Sequence, residues 1–314
     1  MPLGLGLAAS HSPVLHRSRS DWEQIYQELV LEVPQDTRAL VETPDVLDDY
    51  EARVGRGFAA LGDKLKAYAP SALIIAVADT GRVFAENHVP QLSICVAEEI
   101  WGTTHYPEIG EKPDDSRSAS IRINQDVARW LVDELTEEGF DMNVNRTFRP
   151  LGDSVNGAPQ SLMNTYSAVA RGLDIPVVPL FVNAHMAPTI SGRRLPALGR
   201  AIADVLADVE DKVAILGVGG LSGDPQGYVA GWIDELLDDW ILGRLKRGRS
   251  QQLETLWDID SITLRGSTAE VRNWIVAGAA MERLGARATI VDYIRFHHAA
   301  VGTGFAYWET AERS

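Results

Sequence analysis

Three short apolar runs end in the same way, and that repetition limits the folds open to this chain. Val213 to Leu216 runs into Gly217-Val218-Gly219-Gly220-Leu221-Ser222-Gly223. Leu73 to Val77 runs into Ala78-Asp79-Thr80-Gly81, and Val177 to Val182 runs into Asn183-Ala184-His185. Apolar runs this short, bounded by turn residues, read as buried strands. Glycines just past a strand allow positive φ and close backbone approach. In open α/β sheets, ligands sit beyond the carboxyl ends of the strands. The three strand ends are therefore expected to wall one site, completed by two distant segments around His11 and Glu270.

The rest of the chain alternates strand and helix. Strands are expected at Leu3–Ala9, Leu92–Ala97, Met142–Phe148, Thr289–Ile294 and Phe305–Trp308 as well. Helices are expected at Ser18–Leu31, Tyr50–Ala69, Ser120–Glu138, Gly192–Val209, Tyr228–Lys246 and Ser267–Leu284, from apolar residues at spacings of three and four. Gln251–Ile262 reads as a short helix or two turns. Val33–Asp48, with two prolines, and Trp101–Arg117, without apolar period, read as loops. The alternation predicts an α/β fold. Residues 1–314 would form a single domain around a central mixed sheet of six or more strands, with helices on both faces.

Composition narrows the partners. The 314 residues carry a net charge of −15, which argues against nucleic acid and anionic membrane, although a local positive pocket remains compatible with it. No apolar run approaches the roughly 18 residues of a membrane span, and Met1–Ala9 lacks the charged start of a signal peptide. The single cysteine, Cys95, excludes an internal disulfide and a cysteine metal cluster, which fits a reducing cytoplasm. The eight tryptophans suit an oligomer interface or ordinary core packing.

Several residues are candidates on chemistry alone. His11 ends the first strand, either as a polar loop residue or as a metal ligand or base. Asp79-Thr80-Gly81 superficially matches an aspartic protease motif, but that chemistry needs two such carboxylates and the chain has no second copy. Ser267-Thr268-Ala269-Glu270 reads as a capping box, with Glu270 bonding back to the amide of Ser267. Of the other histidines, His185 is the best placed, at a strand end. His16, His88, His105, His297 and His298 read more plainly as surface or hydrogen-bonded residues.

Taken in order, these motifs resemble a family. Ser10-His11-Ser12-Pro13 ends the first strand, and a helix opens with Asp21-Trp22. Ala78-Asp79-Thr80-Gly81 then precedes Phe84 and Asn87-His88-Val89-Pro90. Phe181-Val182-Asn183 follows, with Arg193-Arg194 beyond it, then Gly219-Gly220-Leu221-Ser222 and Glu270-Val271-Arg272-Asn273-Trp274. The chain resembles, over nearly its whole length, the class III extradiol ring-cleaving dioxygenases, the superfamily of the protocatechuate 4,5-dioxygenase catalytic subunit.

The resemblance implies a non-haem Fe(II) held by two histidines and a carboxylate, a catechol-type or aminophenol-type aromatic substrate, and O₂. His11 matches the first iron ligand and Glu270 the carboxylate ligand; His185 is the candidate acid–base residue. Ser12, Asp79, Thr80, Asn183, Ser222 and Gly223 are candidates to line the substrate pocket. Three places depart from the family pattern. Thr80 and Gly223 each stand where a histidine is usual, and a third is replaced within Asp153-Ser154-Val155-Asn156. Two readings follow. One is an extradiol dioxygenase with an atypical metal site and an unusual third ligand. The other is a catalytically silent partner subunit of a heteromeric dioxygenase, or a small-molecule binding protein on the same scaffold. Either would be a homo- or hetero-oligomer.

Overall fold

A computed structural model describes residues 2–112 and 117–311. The three apolar runs are strands, buried at every position: β2 (Ala72–Val77), β7 (Val177–Val182) and β8 (Val213–Val218). The first strand, β1 (Leu3–Ala9), is buried throughout too. Such unbroken burial is what helices on both faces of a parallel sheet produce. Among the described residues the main sheet has eight strands in the order β6-β3-β7-β2-β8-β1-β10-β9. The outer members are β3 (Leu92–Cys95), β6 (Asn143–Asn145), β9 (Thr289–Phe296) and β10 (Val301–Glu309). Strands β7, β2, β8 and β1 run parallel, while β10 pairs antiparallel with β1 and β9, and β3 antiparallel with β7. The sheet is therefore mixed, as expected, and the carboxyl ends of its four central strands open on one edge.

Helices cover both faces. The helices α3 (Gln125–Glu137), α5 (Arg194–Val205) and α8 (Val271–Arg283) pack on one side, and α2 (Pro44–Tyr68) and α4 (Gln160–Val169) on the other. The helices α1 (Trp22–Val30) and α6 (Glu235–Lys246) flank them. The α8 helix is buried from Val271 to Met281, and its start approaches so closely that a Cβ on Gly217 would lie 2.7 Å from the carbonyl oxygen of Asn273.

Several boundaries differ from expectation, each for a local reason. Pro44 does not break the chain but opens α2 at its first turn, where a missing N–H costs nothing. The helix therefore reaches back into the predicted Val33–Asp48 loop. Asn124 caps α3 by accepting from the amide of Val127, so the helix starts at Gln125. The preceding β5 (Ser118–Arg122) pairs instead with β4 (Glu99–Thr103) in a separate two-stranded arm. That arm lies partly inside the predicted Trp101–Arg117 loop, of which 113–116 fall outside the described residues. The α4 helix went unforeseen because its buried positions include Gln160, Ser161, Asn164 and Thr165, which blur the apolar stripe. Asp234 accepts from the amide of Leu237 and delays α6 to Glu235.

Candidate functional site

The strand ends bring together residues far apart in sequence. His11 leaves β1 and His185 lies in the loop after β7. Glu270 sits at the joint between a single helical turn, α7 (Gly266–Ala269), and α8. Nε2 of His11 donates to Oε2 of Glu270 at 2.7 Å, and Nε2 of His185 donates to Oε1 of the same carboxylate at 2.9 Å. The amide of Gly220 adds a longer contact to Oε2 at 3.4 Å. The expected capping box does not form: Glu270 turns inward, and α7 begins earlier, with Arg265 at its N-cap position. The joint reaches the strand ends because the β8 loop has no side chains there. A Cβ on Gly219, whose φ is +140°, would stand 2.4 Å from Cβ of Glu270, and one on Gly220 would stand 1.9 Å from the carbonyl oxygen of Ser267.

Electrostatics lock this cluster. Burial alone pushes the Glu270 carboxyl up, but the charge of His11 and hydrogen bonds from both imidazoles outweigh it, and the group stays ionised far below the usual carboxylate range. Burial likewise pushes His11 down, but Glu270 wins and raises it. One turn later, burial and the nearby His11 and Arg17 hold His16 down at about 3, so it stays neutral between the rings of Phe58 and Tyr106.

A cavity of about 270 Å³ opens beside the cluster. His11, Ser12, Thr80 and Glu270 form one part of its wall. Tyr106, Glu108, Arg82 and Gln160 form another, brought in by the two-stranded arm, the loop after β2 and the start of α4. None of this second group was foreseen, since its residues come from a loop and a helix without sequence contrast. Nη1 of Arg82 is 2.8 Å from Oδ2 of Asp153, and its Nη2 is 3.6 Å from Oε2 of Glu108. Oη of Tyr106, Nε2 of Gln160 and Oε2 of Glu108 are buried and make no hydrogen bond. Burial raises Glu108, against the weaker pull of Arg82 and His11.

Comparison with known proteins decides the family. Residues 37–305 match the family described as the catalytic LigB subunit of aromatic ring-opening dioxygenase. The chain belongs to this family. Among curated relatives, a 2,3-dihydroxyphenylpropionate/2,3-dihydroxicinnamic acid 1,2-dioxygenase of Rhodococcus rhodochrous is 27% identical over 177 residues, covering 56% of this chain and 51% of the relative. The chain thus spans about half the length of the first relatives it matches. A protein of the same name from Azotobacter vinelandii is 24% identical over 298 residues, covering 80% of this chain and 88% of the relative. The crystal structure of an uncharacterized protein, JW3007, from Escherichia coli K12 shares the fold, with a TM-score of 0.55 and 12% identity over 97% of this chain and 99% of that one.

Around this candidate site of the LigB-family chain, the expected pocket residues separate into three groups. Ser12 and Thr80 line the cavity beside His11. Asp79 does not: its carboxylate accepts from the amides of Gly81, Arg82, Val83 and Phe84, and so shapes the loop that carries Thr80 and Arg82. Asn183 works the same way on the His185 loop, donating to the carbonyls of Met186 and Pro188 and accepting from the amide of Met186. Ser222 and Gly223 face a different cavity, beside Trp232 and Leu236. Ser222 is held by Asp238 through both its amide and its hydroxyl, at 2.8 Å each. A Cβ on Gly223, at φ +157°, would stand 2.5 Å from the carbonyl oxygen of Ala300. The place where the family pattern has a histidine is therefore closed to one. His297 and His298 belong to a third cluster, where their amides donate to Glu42.

Among the described residues, no group of three or more His, Cys, Asp or Glu side chains stands as a preformed metal cage. The donor set at Glu270 fits a divalent cation in kind. It comprises two imidazoles and one ionised carboxylate, the composition of the facial triad, and both Nε2 atoms aim at the carboxylate. A cation there would replace the protons that the imidazoles lend to Glu270.

Proposed function

We propose that this chain is a ring-cleavage dioxygenase of the LigB family that holds Fe(II) through His11, Glu270 and His185 and takes a catechol-type or aminophenol-type aromatic, with O₂, in the adjoining cavity. One observation carries the reading: two imidazole nitrogens from separate strand ends meet on the two oxygens of one buried carboxylate. The names of the relatives support the reaction class. In this reading His185, expected as the acid–base residue, is the third ligand and takes over from the histidine replaced by Thr80. The iron, when bound, supplies open positions for the aromatic diol and O₂. Glu270 supplies fixed negative charge, the glycine loop sets its position, and Tyr106 and Gln160 offer unpaired polar atoms to orient the ring hydroxyls. The cavity volume, just below the usual range for small-molecule sites, suits a single aromatic ring.

Anaerobic titration with Fe(II), followed by calorimetry in buffers of different ionisation enthalpy, tests the metal site. One site per chain with proton release, weakened at least about tenfold by either His11→Ala or His185→Ala, is expected. Oxygen uptake with catechol completes the test. The silent reading is the alternative, and the Gly223 position, closed to the histidine of the family pattern, favours it. That reading gains if no stoichiometric metal binds and catechol elicits no oxygen uptake.

A further inference from the structure

Arg82 and Glu108 line the cavity beside the Glu270 cluster, with Asp153 outside it on the other side of Arg82, and this bears on the ligand. Arg82 is committed to Asp153 at 2.8 Å and stands 3.6 Å from Glu108. Among the described residues Glu108 has no other cation within salt-bridge distance, and its Oε2 receives no hydrogen bond. Its backbone is fixed, because Nε2 of Gln226 donates to the Glu108 carbonyl at 2.6 Å. A carboxylate substituent on an aromatic ligand would meet Glu108 and find Arg82 already neutralised. An ammonium would find an incompletely compensated acceptor instead. The relatives named above act on a phenylpropionate, which carries a carboxylate.

The geometry points to a different substrate class for this chain: a single-ring catechol or aminophenol whose substituent donates hydrogen bonds, an ammonium first of all, with Glu108 as the residue that reads it. This inference rests on the proposed function and deepens it.

The test is anaerobic calorimetry on the full, Fe(II)-loaded chain with three ligands: catechol, 4-(2-aminoethyl)catechol and 3-(3,4-dihydroxyphenyl)propionate. The amine is expected to bind about tenfold or more tighter than the propionate, in the range of a charge-assisted contact. Glu108→Gln should bring the two within about twofold, with thermal melting to verify that the variant folds. Equal or tighter binding of the propionate overturns the inference, as does a preference for the amine that survives in Glu108→Gln. If catechol binds without discrimination between the substituted ligands, only this inference falls. If none of the three binds, the proposed function falls with it.

Discussion

Replacing Gly219 with alanine tests whether the glycine loop sets the position of Glu270. The new methyl would sit 2.4 Å from Cβ and 2.9 Å from Oε2 of Glu270, so loop and joint must part by about 1 Å to reach ordinary contact. Overpacking of this kind costs about 1–3 kcal/mol. The backbone at φ +140° adds about 1–3 kcal/mol for any residue with a Cβ. The sum is about 2–6 kcal/mol. With an unfolding entropy of about 2.1 cal/mol/K per residue, a chain of 314 residues loses about 1.5 °C of melting temperature per kcal/mol, or about 3–9 °C in all. Gly139→Ala is the control. Its φ is +87° and nothing lies within 4 Å of a built Cβ, so it reports backbone strain alone, about 1–2 kcal/mol. Differential scanning calorimetry on both variants, with Fe(II) titration in parallel, separates the two contributions. If Gly219→Ala melts no lower than Gly139→Ala and keeps the wild-type metal affinity, the loop does not press on Glu270 and the argument for how the site is positioned fails.

Three further outcomes are expected. Thr80→His, on the cavity wall beside His11, should tighten Fe(II) binding, whereas Gly223→His should lower the melting temperature without tightening it; the reverse in a metal titration would mean the Ser222 loop is misplaced. Asp238 is raised to about 6, chiefly by burial, against hydrogen bonds from Ser222 and Tyr293. The folded chain thus holds this proton more tightly than the unfolded one, and stability falls by up to about 3 kcal/mol as pH rises from 4 to 6, then levels. Urea denaturation across that window should show a shallower fall in Asp238→Asn, and an unchanged slope would refute the assignment. Asp79→Ala strands the amides of Arg82, Val83 and Phe84 and should cost about 2–4 kcal/mol in the same denaturation experiment; a loss under about 0.5 kcal/mol would mean the carboxylate does not organise that loop.

The strands that build the site were legible because each buries every residue. An unbroken run such as Val177 to Val182 has few other places to go in a soluble chain. His11 and Glu270 were legible through their motifs, and Thr80 and Gly223 as departures from them. Local patterns failed where the partner was remote. The Ser267–Glu270 segment carries a valid capping signal, but no window of neighbouring residues contains His11 or His185, which outbid the cap. Asp79, Asn183 and Ser222 were placed in the pocket by chemistry and position. Their polar atoms are instead spent on backbone amides and carbonyls and on Asp238, which are short-range needs that composition does not display.

What the sequence determined by itself was the sheet, its helical cover and the edge at which the candidate site lies, since hydrophobic period and turn residues act over a few positions and need no knowledge of the rest. What tertiary structure alone decided was the membership of the site. It brought His185 onto Glu270 and closed the Gly223 position against a side chain. It also set Arg82, on the cavity lining, between Asp153 and Glu108. Those relations join residues tens of positions apart, and their energies depend on distance and burial, which exist only once the chain has folded.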